Sequence, residues 1–184
     1  MGWLTRNHGT WRGAVRLALA HGEVLLGQAE LVPPDPAKVK RLVFVCHGNI
    51  CRSAYAQMLA AEAGLNVAGF GLSTSTGKQA WPLVREVAAR RGHDLESHRT
   101  TDLSDFEPLE GDYLLGMEVR HMRKLAANPR LAHLPRGLLG LYGRPPFPHL
   151  HDPYQLDPAY MEVCLTRIED AVAGLVKQFG AVRG

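Results

Sequence analysis

Cys46, Arg52 and Ser53 fall within the stretch VFVCHGNICRS, residues 43–53. A thiol followed after five residues by an Arg-Ser pair suits nucleophilic displacement at phosphorus. A loop running from a strand into a helix turns several backbone N–H groups toward one point, and that concavity attracts an anion. Thiols at helix N-termini beside a cation ionise more readily than free cysteine. Arg52 supplies the cation and a planar fork that grips two oxygens of a tetrahedral anion. Ser53 is placed to hydrogen-bond a thiolate as it leaves a phosphoryl group, and Gly48 lets the backbone curl where a side chain would obstruct it. A lone Cys46 would read as a small buried residue closing a strand. The spacing to Arg52 and Ser53 argues for a nucleophile instead.

A leaving oxygen needs a proton, and a carboxylic acid on a neighbouring loop can give it and then take one from the attacking water. Asp152, in HLHDPYQLDP at 149–158, is the candidate. Pro153 stiffens its loop, and Tyr154 offers an aromatic wall for a flat substrate. Asp-Pro is also a common turn initiator, so the reading of Asp152 depends on its pairing with the Cys46 loop. Asp157-Pro158 reads as the cap and first residue of the last helix.

These residues need a scaffold. RLVFVC (41–46) is apolar without alternation, as in a central parallel strand covered on both faces. A helix is expected at 53–63, a strand at 66–73, a helix at 81–92, a strand at 112–117, a helix at 118–128, a strand at 137–142 and a long helix at 158–179. Alternating strands and helices predict right-handed βαβ units and a parallel sheet, an α/β fold whose ligand edge lies at the strands' carboxyl ends. Ahead of this, residues 10–30 read as one amphipathic helix and VPPDPAKVK as a stiff linker. The chain therefore divides into an extension, 1–37, and a domain, 38–184. The extension is expected to dock on the domain or on a partner; Arg6, Arg12 and Arg16 among its apolar residues also permit contact with a membrane surface.

A formal charge of +3 is too mild for a nucleic-acid binder and suits a locally attracted anion. Three cysteines are an odd number in a chain too large to need disulfide staples, which points to a reducing, cytoplasmic setting.

VFVCHGNICRS, a following helix and a distal DPY together resemble the low-molecular-weight protein tyrosine phosphatases, over about residues 40–180. The resemblance implies a four-stranded parallel sheet flanked by helices, and neither metal nor organic cofactor. It implies Cys46 as nucleophile, Arg52 as phosphate clamp and Asp152 as general acid, with His47, Gly48, Asn49, Ile50 and Cys51 completing the phosphate-binding loop. By the same resemblance Asn49 and Ser53 support the loop, His98 braces it through Asn49, and Cys51 is the redox partner that forms a protective disulfide with the nucleophile. GLSTSTGKQAWP (71–82) and MEVRHMRKL (117–125) look most like bacterial members, which dephosphorylate autophosphorylated tyrosine kinases in capsule or exopolysaccharide production. The chain departs from the pattern at Gly69-Phe70-Gly71, in its small polar STSTGK loop and in the N-terminal extension.

Arsenate reductase on the same fold is the alternative, but it needs further thiols near the site, and Cys164 sits at core spacing with Ile168 and Leu175. Gly71–Lys78 imitates a nucleotide-binding loop, but Gln79 stands where a metal-binding hydroxyl belongs, so a polar rim loop is expected. His149 and His151 are expected to be surface histidines rather than metal ligands.

Overall fold

In the computed structural model, residues 2–180 and Val182 are described; Met1, Ala181, Arg183 and Gly184, at the outer ends of the two expected segments, lie outside them. Four parallel strands, β1 Arg41–Cys46, β2 Val67–Gly71, β3 Asp112–Gly116 and β4 Arg136–Leu138, form one sheet in the order β2-β1-β3-β4. The expected α/β architecture is present. β1 lies between β2 and β3, so its carboxyl end falls where the strand order reverses.

β1 explains the lack of alternation in its sequence. Leu42, Phe44 and Cys46 point into a core shared with α3 (Arg52–Glu62), α4 (Pro82–Arg90) and α6 (Pro158–Phe179). Val43 and Val45 point into a second core shared with α5 (Val119–Ala126). Both faces are dry, so both sets of side chains are apolar. Cys164 is fully buried in α6, and Asp157 caps that helix by accepting the Ala159 N–H at 2.7 Å.

Two expectations need correction. The fourth strand does not run from 137 to 142: it ends at Leu138, and Leu139–Tyr142 form a 3-10 turn. At Gly140 the chain folds back on itself, with the Phe147 N–H donating to the Gly140 carbonyl at 2.8 Å. A Cβ at Gly140 would collide with the Phe147 carbonyl, so the turn requires glycine there.

The helix expected over 10–30 is present but shorter: α2 runs Trp11–Leu25, capped by Thr10, whose hydroxyl accepts the Gly13 N–H at 3.0 Å, and a further helix, α1 Trp3–His8, precedes it across Gly9. Gly27, at φ 69°, ends the second helix. The chain then runs extended, and Val32 bridges antiparallel to Arg136 beside the sheet. Ala20 of α2 is buried in the second core, and Glu23 pairs with Arg123 at 2.7 Å. No helix among the described residues is long and apolar enough to cross a membrane.

Candidate active site

The loop from β1 to α3 wraps around the Cys46 sulfur. Sγ lies 3.0 Å from the Ser53 hydroxyl and accepts the Asn49 N–H at 3.2 Å. This curl requires Asn49 to take a left-handed backbone, φ 53°, which asparagine tolerates better than most side chains. The Asn49 side chain fixes it there: its amide donates to Ser53 Oγ at 2.9 Å, and its Oδ1 accepts the Thr101 N–H at 3.1 Å. His98 braces the same residue, with Nε2 donating to the Asn49 carbonyl at 2.8 Å. Burial pulls the His98 ring below its ordinary pKa, so it stays a neutral donor. Gly71, next to Cys46 in the sheet, makes room for the loop: a Cβ there would lie 3.0 Å from Gly48 and 3.1 Å from the His47 carbonyl.

Arg52 begins α3 and is 1% exposed. One terminal nitrogen donates to Glu118 at 2.6 Å and to the Leu150 carbonyl at 2.8 Å. The other meets Asp152 at 2.6 Å. Its Nε is buried with no partner among the described residues. Two carboxylates outweigh the cost of burial and hold the guanidinium charged. Cys46, Cys51, Arg52, Asp152 and Tyr154 line one cavity of about 220 Å³, with Ile50, Ser73, Thr74 and Lys78 at its walls. The 71–78 loop therefore forms a polar rim. Tyr154, which lines the cavity, is backed by Trp81, the two rings meeting edge to face with centres 4.7 Å apart.

Cys51 is buried at the start of α3. Burial first, and then the Asp152 charge, push its thiol up, so it is protonated. Cys164 is pushed up to about 12 by burial, remote from the chemistry of a thiolate.

Sequence reasoning missed Glu118. Burial alone would raise its carboxyl, but Arg52, His121, His149 and Arg120 hold it well below the usual carboxylate range. A single Glu after a strand carries no signal that it will sit beneath an arginine 66 residues away. Trp81 was legible only as a helix start. The expectation of surface histidines fails for His149, which is 6% exposed and faces Glu118 at 3.7 Å. Burial lowers it to about 4, so it is neutral there.

Residues 41–183 match the family model for low molecular weight phosphotyrosine protein phosphatases. The chain belongs to this family. It is 31% identical over 147 residues to the low molecular weight protein-tyrosine-phosphatase Wzb of Salmonella typhimurium, covering 78% of this chain and 97% of that relative. Among solved structures, Wzb from Escherichia coli K30 in complex with sulphate superposes with a TM-score of 0.67 at 21% identity, covering 77% of this chain and 99% of that one. YwlE arginine phosphatase from Geobacillus stearothermophilus gives 0.66 at 20%, covering 77% and 94%. At these identities the two structures speak to the fold alone. The phosphatase match begins at Arg41, so α1 and α2 precede it.

Proposed function

We propose that this phosphatase hydrolyses phosphotyrosine in proteins through a cysteinyl-phosphate intermediate on Cys46. One observation carries the reading: Cys46, Arg52 and Asp152 converge on a single cavity of about 220 Å³. Sγ attacks phosphorus in line as the P–O bond to the tyrosyl ring breaks, and Asp152 gives its proton to the departing oxygen. The loop amides and the unpartnered Nε of Arg52 hold the equatorial oxygens. Water then attacks the phosphocysteine and passes a proton to Asp152. Cys46 leaves as thiolate, steadied by Ser53 and the Asn49 N–H.

Tyr154, backed by Trp81, favours a flat ring at the mouth. The likeness to bacterial members suggests an autophosphorylated tyrosine kinase of exopolysaccharide production as the cytoplasmic partner. The test is phosphate release, without added metal, from matched peptides bearing phosphotyrosine, phosphoserine or phosphoarginine. Preferential release from phosphotyrosine is expected. Preference for phosphoarginine, or a requirement for metal, would overturn the reading.

A further inference from the structure

The extension lies against the acid loop. Thr10 Oγ1 is 3.2 Å from His151 Nε2, and His151 Nδ1 is 3.4 Å from His149 Nε2. His149 Nδ1 in turn faces Glu118, which holds Arg52. The Thr10 hydroxyl already accepts the Gly13 N–H, so its own proton is free to go to His151. Both rings then carry their proton on Nδ1 and every donor points toward an acceptor. The His151 carbonyl is fixed separately by the Tyr160 hydroxyl at 3.1 Å.

Packing reinforces these bonds. A Cβ at Gly13 would lie 3.0 Å from the His151 ring, and one at Gly9 would lie 2.8 Å from Leu156 and Tyr160. The two glycines therefore let the α1–α2 turn sit directly on His151, just ahead of the acid, and on Leu156 and Tyr160 after it. Ala20 in the core and the Glu23–Arg123 pair anchor the rest of α2, so Thr10 is held from the body of the protein.

We propose that the N-terminal extension positions the general acid: Thr10 and the Gly13 face of α2 hold His151, and His151 holds Asp152 at the phosphoryl site. This rests on the reading of Asp152 as acid. A small displacement of a proton donor is enough to cost rate, and the cost grows with the basicity of the leaving group. Thr10 is a positioning residue, and its effect belongs to one step.

The test is kcat/KM of the full chain on aryl phosphates of graded leaving-group basicity, for wild type, Thr10→Val, Thr10→Ser, Asp152→Asn and Thr10→Val/Asp152→Asn. Thr10→Val should lose about tenfold on the poorest leaving group and about twofold or less on the best. Thr10→Ser should restore the wild-type slope, and Thr10→Val should cost nothing further once Asp152 is Asn. If Thr10→Val lowers the melting temperature but leaves the slope unchanged, Thr10 is a helix cap only and the proposal is wrong. If Asp152→Asn itself shows no dependence on leaving group, the acid assignment falls and takes this proposal with it.

The opposite face of α2 carries a separate observation. Trp11, Val15, Leu19 and Leu26 recur at helical spacing and are 47–72% exposed. Every charged residue ahead of Glu23 is basic: Arg6, Arg12 and Arg16, all exposed. Apolar residues with tryptophan, flanked by Arg12 and Arg16 and by a Glu23 already paired with Arg123, match the surface of an anionic bilayer. We infer that this face rests on anionic lipid. Wild-type protein should sediment with vesicles of phosphatidylcholine and phosphatidylglycerol but not phosphatidylcholine alone, and Leu19→Glu should abolish sedimentation. Absence of sedimentation with either vesicle would overturn the inference, as would a dimer in light scattering that Leu19→Glu dissociates, since a second copy would then cover the face.

Discussion

Asp152 and Arg52 face each other at 2.6 Å across the mouth of the cavity that holds Cys46. For Asp152 to serve the leaving oxygen, an incoming phosphoryl group must take over the guanidinium and the freed carboxylate must take up a proton. Asp152→Asn should therefore lower kcat/KM by roughly 10²–10⁴ on poor leaving groups, the usual range for a positioned acid. The loss should shrink for leaving groups that need no proton. A uniform loss across the series would make Asp152 a structural partner of Arg52.

Arg52 serves Glu118, the Leu150 carbonyl and Asp152 together from a buried position at the base of the cavity. Lysine keeps the charge but cannot fork. Arg52→Lys should cost about 10²–10³ in turnover, comparable to losing an oxyanion donor. It should also destabilise the fold, because Glu118 is left with a poorer partner at a buried site. Adding Glu118→Gln should recover part of the melting temperature and none of the activity. Near-normal turnover in Arg52→Lys would mean the anion is held elsewhere.

Stability should fall on acidification between about pH 6.5 and 4.5. His149 and His121 are buried neutral, at about 4 and about 3. In this window the unfolded chain binds protons that the folded one refuses, so stability rises with pH. Glu118, held well below its ordinary value in the fold, is ionised in both states across most of the window and adds to the same trend once the unfolded carboxyl titrates. Replacing His149 with Asn should remove on the order of 2 kcal/mol of the acid-induced loss between pH 7 and 5. Urea midpoints of both proteins at the two pH values test this; equal losses would show that His149 is protonated in the fold.

Oxidation should be reversible. Peroxide would convert a Cys46 thiolate to a sulfenic acid, and the protonated Cys51 thiol, on the same loop and lining the same cavity, can condense with it as water leaves. Cys51→Ser should be active before peroxide and recover poorly with dithiol afterwards. Equal recovery, with no 46–51 linkage in peptide maps, would make Cys51 a packing residue.

How much of this was legible depends on how local each determinant is. Cys46 to Ser53 and the ends of β1 and α6 follow from neighbours within a few residues, so sequence reading finds them. Asp152 is distant in sequence, and its place opposite Arg52 needed the parallel sheet to bring two strand ends together. Glu118 and Trp81 depend on tertiary packing and carry no pattern of their own. In the sequence α2 reads on to residue 30, past its end at Leu25, because the apolar period continues past Gly22. Its true limits come from Thr10 and Gly27, and its docking uses glycines, which leave no hydrophobic signature.

The central claim is that Cys46 carries the phosphoryl group. Acid quenching of the enzyme during turnover of a phosphotyrosine peptide, followed by peptide mapping, tests it most directly. Phosphate should be found on Cys46 in the wild type, accumulate in Asp152→Asn with substrates of good leaving group, and be absent with Cys46→Ala. Steady turnover by Cys46→Ala, or a wild-type enzyme that turns over with no phosphocysteine at any quench time, would contradict the account.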